Sequence, residues 1–249
     1  MKRIKFVVLA AALLAAAGTA SASELAMPHA FTPDLGNEAS VQRGARNFMN
    51  YCSGCHSMKH LRYARMGQDL GIPEDQLKAN LMFTSEKPGD HIVSAMPATA
   101  VTWFGVQPPD LTVETRMRGP DWVYNYLMTF YTDATRQNGT NNLMLPGAAM
   151  PNVLGSLQGV QVMEAAHAAE GGAAAAEGHG GPTFKVVQEG ALSEPEFEKF
   201  VADTVNFMAY AAEPGRAART SMGGKVLLYL LVLTAFLYLL KREYWKDVH

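Results

Sequence analysis

The sequence has 249 residues, of which 48% are hydrophobic and 18% charged, and its 21 basic and 23 acidic side chains give a formal net charge of −2. Its two cysteines are too few for a disulfide framework. The near-neutral charge argues against a nucleic-acid-binding protein, and the apolar content is too high for a disordered one. The length allows one domain with additional segments at its ends.

The first 22 residues have the layout of a secretory signal peptide. Lys2, Arg3 and Lys5 precede an apolar run, and the small residues of Ala20-Ser21-Ala22 follow it. This order of basic, apolar and small residues is typical of an exported protein, and we expect cleavage after Ala22.

A second hydrophobic segment lies near the C-terminus. Residues 226–240 carry no charged side chain, and a helix over 222–241 is long enough to cross a bilayer. Lys241, Arg242 and Lys246 follow. Because basic residues stay on the cytoplasmic side, we expect the tail, residues 242–249, in the cytoplasm.

These two segments together predict a single-pass protein of a bacterial inner membrane, with residues 23–221 forming a domain in the periplasm. That stretch carries 21 acidic and 14 basic side chains, a net charge of −7. An acidic surface attracts a basic protein partner and raises the rate of encounter at low salt.

The spacing of apolar side chains and the capping signals predict three helices in the exported part. They are residues 38–51, directly before the first cysteine, residues 122–132 after Asp121, and a helix from the Ser193 capping box to residue 212. Strand-like alternation is rare and prolines are frequent, so the predicted fold class is mainly α with long loops.

The Ala/Gly-rich tract 164–182 has no apolar periodicity and is predicted to be a mobile surface insertion. Its two histidines, His167 and His179, offer at most a weak metal site.

The two cysteines lie together in Cys52-Ser53-Gly54-Cys55-His56, the attachment pattern of a c-type haem. Each thiol adds to one vinyl group of the porphyrin, and the following His56 supplies an imidazole to the iron.

Two other classes of site use a Cys-x-x-Cys pair. A dithiol oxidoreductase places the pair at the start of a helix that follows a strand, whereas here the pair follows a predicted helix. A zinc site needs a second pair of ligands at matching spacing, and the sequence has no second Cys/His pair of that kind.

The opposite face of the iron needs a ligand from a distant part of the chain. His60 lies on the same side as His56 if the helix continues, so it is not suited. Met150 and Met96 each precede a proline in a loop. Of these, Met150 is favoured, because Pro146-Gly147 and Pro151 make its loop rigid. Arg116 and Arg118 are the candidate partners for the haem propionates.

The sequence resembles the cytochrome c1 family, the membrane-anchored haem subunits of the quinol–cytochrome c oxidoreductase (cytochrome bc1) complex. The resemblance covers nearly all of the mature chain. It rests on five motifs in the same order and spacing: Arg43-Gly44, the stretch from Cys52 to Met58, Pro108-Pro109-Asp110-Leu111 with Arg116, Pro146-Gly147 leading to Met150-Pro151, and Ala211-Ala212-Glu213-Pro214 before the anchor. The tract from Glu164 departs from the family's compact forms.

The resemblance implies a cytochrome c-like helical domain with one haem c, attached to Cys52 and Cys55, plus one C-terminal transmembrane helix. It also implies that His56 and Met150 ligate the iron, that Arg116 contacts a propionate, and that Pro109 packs near the haem.

The implied function is to carry one electron at a time from the Rieske iron–sulfur protein to a soluble or membrane-bound cytochrome c. The chain is then not an enzyme by itself. Cytochrome b is the other core partner, and family membership suggests a dimeric complex. A membrane-tethered cytochrome c that works as an independent shuttle to an oxidase is the alternative.

Overall fold

The structure is a computed structural model, and it describes residues 27–164 and 182–246. The predicted signal peptide, nearly all of the Ala/Gly-rich tract and the last three residues lie outside the described residues.

Helices dominate the described part of the chain. They are α1 (Glu38–Tyr51), α2 (Tyr63–Asp69), α3 (Glu74–Asn80), α4 (Val101–Phe104), α5 (Glu114–Arg118), α6 (Pro120–Met128), α7 (Gly155–Gln158), α8 (Glu194–Ala212) and α9 (Arg216–Tyr244), with a 3₁₀ turn at Ala98–Ala100 before α4. The predicted mainly α class is confirmed.

Within the described residues, six short strands form three separate antiparallel pairs, which the sequence pattern did not predict. They are β1 (Met58–Arg62) with β2 (His91–Ile92), β3 (Phe130–Thr132) with β4 (Thr140–Asn142), and β5 (Gly159–Glu164) with β6 (Thr183–Glu189). Glu164 pairs with Thr183, so the Ala/Gly-rich tract joins the two ends of one hairpin.

The core is built on the crossing of α1 and α8. Phe48 and Phe207 are fully buried there, with ring centroids 5.7 Å apart. Gly44 faces the α8 backbone, and a Cβ at this position would lie 1.9 Å from the carbonyl oxygen of Asp203. The glycine therefore sets how closely the two helices approach.

A polar seam runs beside this contact. The carboxylate of Asp203 accepts hydrogen bonds from Arg43 Nε at 2.6 Å and from Ser40 Oγ at 2.5 Å. Asn206 Nδ2 donates to Ser40 Oγ at 2.9 Å. The buried carboxylate is thus paired and hydrogen-bonded, as a charge in a helix interface must be.

The helix predicted over 122–132 begins earlier and ends earlier than expected. Pro120 occupies its first turn, where the missing N–H is harmless, and the helix ends at Met128. The run Phe130-Tyr131-Thr132 is aromatic and β-branched, and it forms β3 because β4 offers a partner strand. Pairing across the β3–β4 hairpin outweighed the local helical spacing.

The helix from the Ser193 capping box is confirmed. Ser193 Oγ and its backbone N–H both lie within hydrogen-bonding distance of the Glu196 carboxylate. The helix then continues to Ala212, as the sequence indicated.

The C-terminal helix α9 is long and apolar enough to cross a membrane. The candidate span, Ala218–Tyr244, has 27 residues; its most apolar 18-residue window has a mean hydropathy of 2.0, and none of that window is buried in the protein. The whole of α9 spans about 43 Å at the usual rise, against a hydrocarbon core of about 30 Å. The described residues thus include one C-terminal transmembrane helix.

Candidate haem-binding site

The cysteine motif closes helix α1. Cys52 is the C-terminal cap, and its N–H donates to the carbonyl oxygen of Phe48 at 2.8 Å. The N–H groups of Cys55 and His56 both donate to the carbonyl oxygen of Cys52, at 3.1 and 2.9 Å. This tight turn carries both thiols and the imidazole to the wall of one cavity.

The ring of His56 is oriented by a backbone carbonyl. Its Nδ1 lies 2.8 Å from the oxygen of Pro109. A carbonyl oxygen only accepts, so Nδ1 carries the proton and the lone pair of Nε2 is free for a metal. Burial lowers the pKa of His56, against the opposing effects of the Pro109 bond, Glu114 and Asp110. The neutral imidazole, which is the form that binds metals, is therefore favoured.

The loop that presents Pro109 is fixed to the chain just after the motif. Asp110 Oδ2 accepts from the backbone N–H of Lys59 at 2.7 Å, and Leu111 N–H donates to Ser57 O at 2.9 Å. Although burial acts the other way, hydrogen bonds from Thr112 and Lys59 lower the pKa of Asp110. The carboxylate therefore stays charged and holds the loop.

The cavity has a volume of about 420 Å³ and an apolar lining. Its walls include five of the six predicted site residues: Cys52, Cys55, His56, Pro109 and Met150. Further apolar side chains in the lining come from the loops and from α4, α6 and α8: Phe104, Val106, Leu111, Val123, Leu127, Leu145, Val153 and Met208. Two thiols, an imidazole with a free nitrogen and a thioether around an apolar space are the donor set that a c-type haem requires.

The two loop methionines occupy different places. Met150 is half-buried and lines the cavity, whereas the half-buried Met96 is absent from the cavity wall. His60 is an exposed residue of β1, not of a helix. The geometry thus brings Met150, and neither alternative, to the side chains of the motif.

The two candidate arginines are also separated. Arg118 lines the cavity, with Nε 2.7 Å from Glu114 Oε1 and its guanidinium 4.3 Å from the centroid of the Trp122 ring. Arg116 is exposed and does not line the cavity. Residues two apart on a helix point in different directions, which explains the difference.

An aromatic stack forms a further wall that the sequence analysis did not assign to the site. The rings of Trp122 and Tyr126 stack at 5.2 Å, and Tyr126 meets Phe130 edge-on at 5.1 Å. Burial raises the pKa of Tyr126 to about 12. Arg118, Trp122 and Tyr126 are spaced four residues apart, and this spacing in the sequence could have indicated that they share one face.

The structure does not support the two alternative hypotheses for the cysteine pair, a reactive dithiol and a zinc site. Burial raises the pKa of Cys52 to about 12, and the pair lies at a helix C-terminus, where the dipole disfavours a thiolate. A reactive dithiol needs the opposite shift. Within residues 27–164 and 182–246, no three His, Cys, Asp or Glu side chains gather as a metal site, so the zinc reading lacks ligands there.

Comparison with known proteins places this geometry in a family. The sequence model of the Cytochrome C1 family matches residues 33–168 and 187–248. This chain belongs to the cytochrome c1 family. A cytochrome is a haem protein, and the cofactor typical of cytochrome c1 is a haem of the c type. The unmatched residues between the two ranges include most of the Ala/Gly-rich tract.

Two curated proteins are similar to this chain over most or all of its length. The chain is 52% identical over 222 residues to the cytochrome c1 of Allochromatium vinosum, covering 87% of each chain. It is 40% identical over 250 residues to a Nitrosomonas europaea protein named as the gamma subunit of ammonia monooxygenase, covering 100% of both.

A solved chain from a hyperthermophilic respiratory Complex III covers 100% of this chain and 99% of its own length. The two chains are 17% identical, with a TM-score of 0.47.

Proposed function

We propose that haem c would be held in the cavity by thioether bonds from Cys52 and Cys55, with His56 and Met150 as the residues that would ligate its iron. The observation that carries this proposal is that both thiols, the imidazole and the Met150 side chain line one apolar cavity. With His56 and Met150 both ligating the iron, the haem would supply one-electron exchange without binding a substrate.

The residues of the chain then have separate tasks. Pro109 keeps the free nitrogen of His56 directed into the cavity through its carbonyl oxygen. The apolar lining excludes water, which together with a thioether ligand favours reduced iron and raises the reduction potential. The resemblance to the family predicts that Arg116 contacts a haem carboxylate. Arg118 lies in the cavity wall, and we propose that it makes a contact of that kind.

The function that follows is that of a membrane-anchored electron carrier and not of an enzyme acting alone. Within a quinol–cytochrome c oxidoreductase, the chain would take one electron from the Rieske iron–sulfur protein and pass it to cytochrome c. Cytochrome b is the expected core partner, in a dimeric complex. The haem domain would lie in the periplasm, with α9 crossing the inner membrane.

The anchor and the charge support this arrangement. Helix α9 follows α8 after only a few residues, so the haem domain stays close to the membrane surface. The net charge of −7 for residues 23–221 suits a basic electron acceptor.

Purification of the tagged protein in mild detergent tests the assembly. We expect cytochrome b and the Rieske protein to co-purify with it, and a haem-stained band to survive denaturing electrophoresis. A haem-bearing chain that brings down neither partner would support the independent shuttle. Co-purification with an oxidase, and not with cytochrome b and the Rieske protein, would show that the carrier belongs to that oxidase's assembly.

The axial ligand is tested by replacing one methionine at a time. Met150→Leu should lower the reduction potential and allow the ferrous protein to bind carbon monoxide, because a coordination position opens. Met96→Leu is the control and should change neither. The opposite pattern would contradict the assignment of Met150.

A further inference from the structure

The loop that carries Met150 has almost no regular structure of its own. It runs from the end of β4 at Asn142 to the start of α7 at Gly155. Within it, the backbone makes short-range turns such as the bond from Ala148 N–H to Leu145 O at 3.0 Å, and just after β4 the N–H of Leu143 donates to Thr129 O at 3.2 Å. Beyond Leu143, side chains supply the hydrogen bonds that tie this loop to the rest of the fold.

Two consecutive asparagines at the end of β4 supply several of these contacts. Asn141 Oδ1 accepts from the backbone N–H of Gly147 at 2.7 Å, and Asn141 Nδ2 donates to Asp133 Oδ2 at 2.9 Å. Asp133 follows β3 directly. The side chain of Asn141 thus connects the loop to the opposite strand end of the hairpin.

Asn142 ties the same loop to the cavity wall. It is completely buried, and its Oδ1 accepts from the N–H groups of Met144 and Leu145 at 2.9 and 3.2 Å. Its Nδ2 donates to the carbonyl oxygen of Tyr126 in α6 at 2.7 Å. The loop is therefore held against the helix whose aromatic side chains face the cavity.

Both backbone polar groups of Gly147 are hydrogen-bonded to side chains. Its N–H donates to Asn141 Oδ1, and its carbonyl oxygen accepts from Arg136 Nη2, in the β3–β4 turn, at 2.9 Å. Gly147 has φ of +82°, a conformation that a residue with a side chain rarely adopts. It lies three residues before Met150, so fixing this peptide fixes the direction from which the chain approaches the methionine.

We propose that Asn141 and Arg136 are positioning residues for the sixth ligand. They clamp Gly147 from both sides, and through it they hold the Met150 thioether in the cavity. The inference rests on the proposed ligation by Met150 and extends it, since it names what keeps a ligand on an irregular loop bound. The alternative is that proline rigidity and packing alone hold the loop.

The test uses the full-length holoprotein in detergent with Asn141→Ala. Loss of the clamp should let Met150 leave the iron more often, so the ferrous protein should bind carbon monoxide about tenfold faster. The charge-transfer band between the thioether and ferric iron should weaken. Asn80→Ala is the matched control, because the Asn80 amide bonds only to Gln76 within α3, and it should change neither property.

A second pair of variants tests the clamp at an exposed position, where a substitution is not expected to unfold the domain. Arg136 is exposed, so Arg136→Met removes one surface contact without disturbing the core. Arg136→Met should accelerate binding of carbon monoxide, and Arg136→Lys, which still offers a donor to Gly147, should restore most of the slow rate. Thermal unfolding of all four variants, followed by far-UV circular dichroism, separates a loosened loop from an unfolded domain.

The outcomes distinguish the two proposals. If Met150→Leu opens the iron but Asn141→Ala and Arg136→Met bind carbon monoxide no faster than Asn80→Ala, the clamp is disproved and the ligand stands. If Met150→Leu leaves the spectrum unchanged, the ligand assignment itself fails. Faster binding in both clamp variants, with unfolding midpoints like that of the control, supports the clamp.

Discussion

At the scale of single residues, the haem site depends on which atom of a side chain faces the cavity. His56 shows this best, because the carbonyl oxygen of Pro109 accepts from Nδ1 at 2.8 Å and leaves Nε2 free. The acceptor belongs to the backbone. Its contribution therefore depends on the path of the Pro108–Leu111 loop and not on the side chain at position 109.

The two arginines of α5 give a residue-scale prediction. Arg118→Met should lower the reduction potential by roughly 60 mV, a tenfold change in a one-electron equilibrium, because a cation beside the cavity stabilises the reduced iron. Arg116→Met removes the same charge from an exposed position and should shift the potential much less. Redox titration of both variants measures the two shifts in potential. A larger shift for Arg116→Met would contradict the proposed contact of Arg118 with a haem carboxylate.

His29 gives a prediction for pH. Burial lowers its pKa from the ordinary value of 6.5, against the raising effect of Glu198 and Glu194 on α8. The edge of its ring faces Tyr124. The folded state therefore binds a proton at His29 less well than the unfolded state does. The contribution of His29 to the free energy of unfolding is highest above pH 6.5, where His29 is neutral in both states, and it decreases as the pH falls through the lowered pKa.

His29→Gln should therefore flatten the dependence of the unfolding free energy on pH between about pH 7 and 5. The backbone of His29 exchanges two hydrogen bonds with the side chain of Asn125, and the substitution leaves both in place. Denaturant unfolding at a series of pH values measures the slope. A slope equal to that of the unmodified protein would show that His29 does not contribute.

At the scale of elements, the crossing of α1 and α8 positions the haem motif. Helix α1 ends at the first cysteine, so its packing against α8 determines where the cavity lies. Arg43 and Asp203 strengthen the crossing, but Gly44 sets its distance.

Gly44→Ala should destabilise the protein by about 1–3 kcal/mol, because the added methyl group meets the backbone of α8 and forces the helices apart. For a domain of this size, the thermal midpoint falls by about 2–4 °C per kcal/mol. Gly89→Ala is the control, since a Cβ there meets nothing within 4 Å. Equal midpoints for the two variants would show that the close approach is not required.

At the scale of the whole molecule, the chain divides into a folded domain and a helix whose apolar window is unburied. The haem domain does not cover this helix, which supports a membrane as its surroundings. The basic side chains after it and the basic start of the chain predict which end stays in the cytoplasm.

Reporter fusions measure this topology. Alkaline phosphatase, which is active only after export, should be active when fused after Ala212 and inactive when fused after His249. The mature protein should begin at Ser23, which N-terminal sequencing would detect. Activity at the C-terminal fusion would reverse the proposed orientation.

Local patterns in the sequence were sufficient wherever the chemistry is local. The motif from Cys52 to His56 predicts haem attachment because the thiols and imidazole must lie on one turn. The bounds of α1 and α8 followed from helical spacing and a capping box, which involve residues three or four apart. The apolar C-terminal segment predicted an anchor by length and composition alone.

Tertiary structure decided everything that depends on residues distant in the chain. The strand β4 ended α6 at Met128, although the spacing favoured a longer helix. Only the folded path of the loops separates Met150 from Met96, since each of the two methionines precedes a proline in a loop. The contact of Gly44 with α8 and the clamp on Gly147 join residues that no short-range pattern connects. Burial and hydrogen bonding between such residues are set by packing, which the sequence specifies only through the whole fold.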